Sequence, residues 1–355
     1  METFQEHYLS MKRTIAARKL NVDMALIDRA VDYAREKHKD QKRKSGEPYI
    51  IHPLAVAQIV AQELHLDSES IAAALLHDTI EDTDATHEDI ARTFSPTIAD
   101  IVEGVSKLTR VQAASKAEEQ MENLRKMLLA MSKDIRVILI KMADRLHNMR
   151  TMEYQTPEKQ KQKSLETMEI YAPIAHRLGM QKLKWELEDL SLKYLDPIGY
   201  QEIIEALEEK ASEYDGFMAS IHDEIKSRLE EAHIEGKVYG RMKHPYSIYR
   251  KMYTQNKSLD DVFDLFAFRV IVNTVAECYN VLGIIHDMYK PVLSRFKDYI
   301  GTPKPNMYQS LHTTVVGQNG IPFEVQIRTQ QMHEVAEYGI AAHWKYKQNG
   351  QGSGD

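Results

Sequence analysis

The spacing of apolar residues changes once along the chain, and this change constrains the fold more than any other feature. From Asp23 to about Tyr214, apolar residues recur every three or four positions, with few glycines and no alternating runs rich in Val, Ile and Thr. This spacing predicts an all-α region. After Lys237 there are three short alternating segments: VFDLFAFRVIV (262–272), TTVVG (313–317) and PFEVQIRT (322–329). We therefore predict that the second part is α+β, with a mixed sheet.

The C-terminal part carries two further local signals. Asn319-Gly320 stands between two alternating segments and predicts a β-hairpin turn. The residues that follow, QQMHEVAEYGIAAHWKYK, return to helical spacing, and the last seven, NGQGSGD, are typical of a disordered tail. Because 355 residues exceed what one hydrophobic core usually supports, we expect two domains, with room for a helical joint between them.

Composition limits the compartment and the partners. The single cysteine, Cys278, cannot form an internal disulfide, so we expect a reducing compartment, the cytoplasm. The N-terminus lacks a signal-peptide pattern, and the longest apolar run, IAAALL at 71–76, is too short for a membrane span. A net charge of -7 gives no overall attraction to nucleic acid or anionic membranes, so phosphate binding requires locally gathered Lys and Arg.

Polar residues follow a buried segment in SESIAAALLHDTIED. The segment is apolar nearly all round between Ile71 and Leu76, as in a helix buried on every side, and it runs directly into His77-Asp78. Continuous helical spacing would stack His77 over Glu81 and Asp78 over Asp82. We interpret this arrangement as metal ligands accompanied by acid/base groups.

A second helix leads to the same interpretation. In the predicted helix from Asp134 to Arg150, one face begins with apolar residues and continues as Asp144, Asn148 and Thr151. A face that changes from apolar to polar indicates that the helix leaves the core and enters a site. The segment SGEPYIIHP adds a further imidazole.

The candidate ligands are two imidazoles and two carboxylates: His52, His77, Asp78 and Asp144. This mixed set suits Mn²⁺, Fe²⁺ or Zn²⁺, and such an ion lowers the pKa of a bound water for attack on phosphorus. Glu81 and Asp82 exceed the number of ligands needed and are the candidates for proton transfer. A lone His-Asp dipeptide is more often a cap or a solvated pair, so the interpretation depends on the other two ligands.

Alternation in PFEVQIRT separates a packing face from a polar face. Glu324, Gln326 and Arg328 share one face, and the apolar residues between them share the other. Asp264 precedes FAFRVIV, a strand apolar on both faces and therefore central in the sheet. Asp264 and Glu324 on neighbouring strands could hold Mg²⁺ together with substrate phosphates.

Basic residues recur around these two carboxylates, at a density that suits a polyphosphate. They are Arg241, Lys243, Lys251, Arg269, Arg295, Lys297, Lys304 and Arg328. Taken singly, each is more often a solvated surface residue, and Asp264 could be a strand-start cap. Asp264 and Arg269 are five residues apart, so a regular strand would direct their side chains to opposite faces of the sheet. If both face one site, either the strand contains a bulge or Asp264 precedes the strand proper.

The residues of the first site resemble the HD phosphohydrolase pattern. RKSGEPYIIHP, HDTIEDT and KMADRLHNMRT are similar to the hydrolase domain of bifunctional RelA/SpoT-type (Rel) alarmone enzymes. The resemblance implies an all-α hydrolase of ppGpp that uses Mn²⁺, with Glu81 and Asp82 as its catalytic acids. It also implies nucleotide contacts from Arg43, Lys44, Asn148 and Thr151.

The second part resembles the Rel synthetase domain over nearly its whole length. The strings are GRMKHPYSIYRKM, FDLFAFRV, RFKDYIGTPKPNMYQSLHTTV and EVQIRTQQMHEVAEYGIAAHWKYK. The resemblance implies a nucleotidyltransferase-like domain that transfers the β,γ-pyrophosphoryl group of ATP to the 3′-hydroxyl of GDP or GTP. The basic Arg295-Phe296-Lys297-Asp298 string is the version found in bifunctional members.

The same resemblance implies roles for individual residues of the synthetase. Asp264 would hold Mg²⁺, and Glu324 would accept the hydroxyl proton or share the metal. Arg241 and Arg269 would sandwich adenine, while Tyr308 would stack on guanine. The other phosphate and nucleoside contacts would be Lys243, Ser247, Lys251, Lys304, Asn306 and His312.

We therefore expect four segments. These are a hydrolase domain (1–156), a helical joint (157–214), a synthetase domain (215–347) and a disordered tail (348–355). The implied ligands are ATP, GDP or GTP, and ppGpp or pppGpp, with no membrane partner and ribosome contacts only through regulatory domains that this chain lacks. Two alternatives stay open: an HD nucleotidase fused to another nucleotidyltransferase, and a nucleotide-sensing regulator with decayed catalytic residues.

Overall fold

The computed structural model describes residues 4–17, 22–109, 129, 133–255, 265–317 and 320–342. The chain divides into two compact units. The first comprises Met1–Tyr171 and Ala341–Asp355, and the second comprises Ala172–Ile340. The division falls inside the expected joint, and the boundaries of the four segments given above remain a prediction. Among the described helices, none is both long and apolar enough to cross a membrane.

The described part of the first unit is helical, which confirms the all-α expectation. Its α-helices are α1 (Phe4–Ala17), α2 (Met24–Lys37), α3 (Ile51–Gln62), α4 (Ser68–Leu76), α5 (Thr79–Asp82), α6 (His87–Thr93), α7 (Pro96–Thr109), α8 (Ile135–Arg150) and α9 (Pro157–Glu166). A 3₁₀ turn (Met152–Tyr154) follows α8, and a π turn (Thr167–Tyr171) follows α9.

Helices α4 and α8 bring the buried polar residues into the core of this unit. Asp67 caps α4 by accepting a hydrogen bond from the Ser70 amide (2.8 Å), and all residues from Ser70 to Leu76 are buried. Asp134 caps α8 in the same way, and α8 is buried without interruption from Arg136 to Leu146. The polar residues His77, directly after α4, and Asp144, on α8, therefore lie in the interior of the unit rather than at its surface.

The sequence expectation of one continuous helix through His77-Asp78 was wrong. Helix α4 ends at Leu76, and α5 begins at Thr79 after a two-residue turn. Two side chains compete for the carbonyl groups of the last turn: His77 Nδ1 lies 2.7 Å from the Ala74 oxygen, and Thr79 Oγ1 donates to the Leu76 oxygen at 2.6 Å. Such side-chain bonds replace helical backbone bonds and end the helix just before the two polar residues.

The second unit is α+β, as predicted. Its helices are α10 (Ala172–Arg177), α11 (Gln181–Leu195), α12 (Pro197–Glu231), α13 (Pro245–Gln255), α14 (Val275–Met288) and α15 (Gln330–Tyr338). Its strands are β1 (Gly236–Met242), β2 (Phe266–Val272), β3 (Lys290–Pro291), β4 (Lys297–Asp298), β5 (Leu311–Val316) and β6 (Pro322–Thr329). A 3₁₀ turn (Leu293–Arg295) lies between β3 and β4.

The six strands form a mixed sheet in the order β1-β2-β6-β5-β3, with β4 paired to β5. Strands β2 and β6 are parallel, and the other pairs are antiparallel. One face of the sheet is apolar and forms a core with residues of α12 and α14. The register pairs Ala267 with Glu324 and Arg269 with Gln326, so these side chains share the opposite, polar face.

The hairpin prediction is tested at one of its two turn residues. Gly320 has φ +74° and donates its amide to the Gly317 oxygen at 3.0 Å, between the antiparallel strands β5 and β6. The positive φ accounts for glycine at this position. Asn319 and the tail 348–355 lie outside the described residues.

Candidate functional sites

Three elements of the first unit bring a ligand set together. His52 lies in the first turn of α3, His77 directly follows α4, and Asp144 lies on α8. One ligand atom from each lies within 4.8 Å of the other two. His52 Nε2 is 3.2 Å from Asp144 Oδ1 and 3.6 Å from Asp78 Oδ2, while His77 Nε2 is 3.1 Å from Asp78 Oδ2. The four residues singled out in the sequence are therefore neighbours in space.

The orientation of the two imidazoles suits a bound cation. His77 directs Nδ1 to the Ala74 carbonyl, which fixes the proton on that nitrogen and leaves the Nε2 lone pair toward the cluster. That Nε2 is buried, and although it lies 3.1 Å from Asp78 Oδ2, it makes no hydrogen bond of acceptable geometry with any described residue. His52 in turn contacts His147 through Nδ1 (2.7 Å), so its Nε2 also faces the carboxylates. A buried, unsatisfied nitrogen beside two carboxylates fits a metal ion.

Charge in this cluster is unevenly compensated. Burial alone would raise the pKa of the Asp144 carboxyl, but Lys141 (2.8 Å) and the imidazoles hold it well below its ordinary value. Burial alone would lower the pKa of His77, but Asp78 and Asp144 raise it to about 9. Burial lowers the pKa of His52. The carboxylates thus attract positive charge to His77, and a divalent cation satisfies the same attraction while the imidazole stays neutral.

The two surplus acids line the cavity next to the cluster. Glu81 and Asp82 lie on α5, at the rim of a cavity of about 450 Å³ that also exposes His52, Asp78 and Asp144. They are close to the ligand set because the turn at 77–78 is short.

Tyr49 joins the ligand set to one of these acids. Its hydroxyl lies 2.7 Å from Asp78 Oδ2 and 3.1 Å from Asp82 Oδ2. Sequence reasoning missed this residue, although it stands only three positions before His52, in the turn that precedes α3.

Three of the expected nucleotide contacts are joined to one another. Arg43 Nη2 lies 3.1 Å from Thr151 Oγ1 and 3.4 Å from Asn148 Oδ1. Arg43 and Asn148 line the cavity, whereas among the described residues Lys44 and Thr151 are not part of its lining.

The same cavity exposes cations that the sequence analysis did not select. They are Lys141, Arg145, Lys159 and Lys163. Lys141 and Arg145 could have been selected because they lie three residues before and one residue after Asp144.

The second unit has a cavity of about 260 Å³ on the polar face of the sheet. Most of the residues selected in this half line it: Arg241, Lys243, Ser247, Arg269, Lys304, Asn306, Tyr308, His312, Glu324, Gln326 and Arg328. Within the described part of the chain, Lys251, Arg295 and Lys297 are not in this lining. Asp264 lies outside the described residues, and β2 begins at Phe266.

Glu324 is the acid at the centre of a polar network. Gln326 Nε2 donates to its carboxylate (2.5 Å), and His312 Nδ1 lies 3.6 Å from it. The other nitrogen of His312 contacts the Tyr308 hydroxyl at 2.7 Å. Burial lowers the pKa of His312 to about 4, so this imidazole is neutral at ordinary pH. The network fixes the orientation of the Glu324 carboxylate.

Partly desolvated cations line the same cavity as this acid. The Arg241 guanidinium lies 4.5 Å from the ring centroid of Trp185, and Lys304 Nζ lies 5.0 Å from that of Tyr308. Burial, followed by the nearby Arg269, lowers the pKa of Arg241 to about 10, and burial lowers the pKa of Lys304. Shifts in this direction mean that the cations are undercompensated, and an anionic ligand would restore the balance.

Two further residues in the lining were missed from the sequence. Trp185 on α11 packs against Arg241, and Glu337 on α15 forms ion pairs with Arg269 (3.0 Å) and Arg328 (3.2 Å). Neither carries a local signal, because their partners lie on distant strands. Only the tertiary fold brings them to the cavity.

Comparison with known proteins also separates the two parts of the chain that carry these sites. Residues 30–181 match the family described as an HD domain, and residues 240–351 match the family described as a region found in RelA/SpoT proteins. The chain therefore carries an HD domain followed by a RelA/SpoT region.

Three relatives illustrate the likeness. A probable guanosine-3′,5′-bis(diphosphate) 3′-pyrophosphohydrolase of Synechocystis is 52% identical over 326 residues, covering 92% of this chain and 43% of that protein. The GTP pyrophosphokinase of Streptomyces coelicolor is 53% identical over 322 residues, covering 91% of this chain and 38% of that protein. The bifunctional (p)ppGpp synthase/hydrolase SpoT of Escherichia coli is 51% identical over 320 residues, covering 90% and 45%. The chain thus spans less than half the length of these curated relatives.

Proposed function

We propose that this chain carries two opposed activities of guanosine tetra- and pentaphosphate metabolism. The first unit hydrolyses the 3′-pyrophosphate of (p)ppGpp, and the second forms it from ATP and GDP or GTP. The proposal rests on one observation: a buried His52-His77-Asp144 cluster beside spare acids, and a separate basic cavity around Glu324, occur on the same chain. The names of the relatives support both halves.

In the hydrolase, His52, His77, Asp78 and Asp144 would hold Mn²⁺, which supplies a bound water of lowered pKa when present. The chain's own residues do the remaining work. Arg43, Lys44, Asn148 and Thr151 bind and orient the nucleotide. A water oxygen bonds to the phosphorus that carries the ribose 3′-oxygen, and the bond between that phosphorus and the 3′-oxygen breaks. Of Glu81 and Asp82, one accepts a proton from the attacking water and the other delivers a proton to the 3′-oxygen. The products are GDP or GTP and pyrophosphate.

In the synthetase, the 3′-oxygen of GDP or GTP bonds to the β-phosphorus of ATP, and the bridging bond to the α-phosphate breaks, so AMP leaves. Glu324 accepts the hydroxyl proton, and its orientation by Gln326 supports that role. Mg²⁺ held by Asp264 and Glu324 would neutralise phosphate charge.

The remaining roles in the synthetase concern nucleotide binding. Arg241 and Arg269 would sandwich the adenine of ATP, and Tyr308 would stack on the guanine of GDP or GTP. The phosphate and nucleoside contacts are Lys243, Ser247, Lys251, Arg295, Lys297, Lys304, Asn306, His312, Gln326 and Arg328.

Product analysis tests this function and separates it from the two alternatives. The chain is incubated with labelled ATP and GDP in Mg²⁺ alone, and nucleotides are then separated. We expect ppGpp and AMP in equal amounts, whereas an unrelated nucleotidyltransferase would release pyrophosphate from ATP. Added Mn²⁺ should then convert ppGpp to GDP and pyrophosphate. A chain that binds nucleotides but yields none of these products is a regulator, and the proposal is then wrong. The cytoplasmic location remains a prediction of the sequence.

A further inference from the structure

Three arginines lie staggered across three neighbouring strands on the polar face of the sheet. Arg241 on β1 is paired with Ala267, two residues before Arg269 on β2. On the other side, Arg328 on β6 is paired with Ile271, two residues after Arg269. Arg269 is therefore the diagonal neighbour of both other arginines. Like charges on one face of adjacent strands repel each other, so this arrangement needs a counter-charge.

Glu337 supplies that charge from a different element. It lies near the end of α15, and a single oxygen, Oε1, is 3.0 Å from Arg269 Nη1 and 3.2 Å from Arg328 Nη2. All three side chains are nearly buried, with 12% of Arg269, 13% of Glu337 and 1% of Arg328 exposed. In so little solvent, both the position and the charge of this carboxylate determine where the guanidinium groups lie.

The two arginines depend on Glu337 to different degrees. Arg328 has another partner, because its Nη2 lies 2.9 Å from His333 Nδ1. Among the described residues, Glu337 is the only carboxylate within ion-pair distance of Arg269. The Nε atoms of Arg269 and Arg328 are both buried and make no hydrogen bond to a described residue, so neither group is fixed through that edge. Loss of Glu337 should therefore disturb Arg269 more than Arg328.

We propose that Glu337 is a positioning residue for the ATP side of the synthetase site: it fixes the guanidinium plane of Arg269 against which a nucleobase stacks. This inference rests on the proposed function, in which Arg269 contacts adenine. Glu337 itself touches no reacting atom. Arg stacks on a base through the flat face of its guanidinium, and a carboxylate bonded at the edge leaves that face open while it sets its direction.

The test is a double-mutant cycle on nucleotide affinity, because a positioning residue acts only through its partner. Dissociation constants for a non-hydrolysable ATP analogue and for GDP are measured by calorimetry on the parent chain, Glu337→Gln, Arg269→Ala and the double variant. We expect Glu337→Gln to weaken binding of the ATP analogue by about tenfold and binding of GDP by less than about threefold. The double variant should bind the analogue no more weakly than Arg269→Ala alone.

Two variants and one kinetic readout distinguish positioning from a merely structural role. Glu334→Gln removes a carboxylate from the same helix one turn earlier and should change neither affinity by more than about twofold. Glu337→Asp keeps a carboxylate and should recover part of the lost affinity. In steady-state synthesis, Glu337→Gln should raise KM for ATP more than it lowers kcat, because uniform binding is lost.

The possible outcomes are separable. Parent-like affinity of Glu337→Gln for the ATP analogue, or losses that add fully in the double variant, would overturn the positioning role while leaving the proposed function intact. Equal losses for ATP analogue and GDP would also overturn it, because they would indicate a general disturbance of the cavity. If the parent chain itself neither binds the ATP analogue nor releases AMP, the proposed function fails and this inference fails with it.

Discussion

Thermal unfolding in the presence of Mn²⁺ should report directly on the histidine-carboxylate cluster. The folded first unit holds His52, His77 and Asp144 with ligand atoms within 4.8 Å, whereas an unfolded chain does not hold these atoms together. If Mn²⁺ is the ion of this site, as proposed above, it should bind the folded state preferentially and stabilise it. At a free concentration one hundred times the dissociation constant, the gain is about 2.7 kcal/mol. For a unit of this size, that gain corresponds to a rise in Tm of about 5–10 °C.

The assay is differential scanning calorimetry of the parent chain, His77→Ala and a matched control, with and without Mn²⁺. His87→Ala is the control, because His87 lies in the same unit but pairs with Asp100 at an exposed position. The parent and His87→Ala should both show the full rise. His77→Ala should lose most of it, since the buried Nε2 that lacks a hydrogen bond is removed. Asp144→Asn is a second variant in case the alanine leaves too large a cavity. A full rise in both ligand variants would refute the reasoning.

Three further predictions concern single residues. Gly339→Ala should destabilise the second unit by about 2 kcal/mol or more, because Gly339 has φ +56° and an added Cβ would lie 2.0 Å from the Leu178 carbonyl oxygen; urea unfolding measures this. Burial and the neighbouring arginine lower the pKa of His333 to about 4, so the unfolded state binds more protons between pH 4 and pH 6.5, and stability rises with pH across that window. His333→Gln should reduce the slope of the free energy of unfolding against pH in this window, by the amount that corresponds to the uptake of up to one proton on unfolding. Tyr49→Phe removes the hydroxyl that bonds Asp78 and should slow ppGpp hydrolysis about tenfold with little change in synthesis, measured on one preparation.

The polar face of the synthetase sheet could be predicted because alternation along a strand is a local property. Glu324, Gln326 and Arg328 were assigned to one face from the sequence, and all three line the cavity. Basic residues outside the main strands were predicted less well, because Lys251 and Arg295 do not line the cavity. Lys251 on α13 and Arg295 in a 3₁₀ turn were selected by charge density and by the family resemblance, and neither criterion defines the direction of a side chain.

The metal cluster shows what a local pattern misses even when it selects the right residues. Apolar spacing led us to group His77 and Asp78 with Asp144, but it also predicted one continuous helix over 68–82, whereas the structure has two helices. The break arises from side-chain bonds to the backbone, such as the one from Thr79, and hydropathy does not encode them. Tyr49 and Glu337 were missed for a related reason: their partners lie far away along the chain.

The most direct test of the account measures both activities on the same preparations of two variants. Hydrolysis of labelled ppGpp with Mn²⁺, and formation of ppGpp from ATP and GDP with Mg²⁺, are assayed on the double variant Glu81→Gln/Asp82→Asn and on Glu324→Gln. We predict that the first loses hydrolysis by about a hundredfold or more and keeps synthesis, and that the second shows the reverse. If either variant keeps both activities at the parent rate, or if both activities fall together, the assignment of one reaction to each cavity is contradicted.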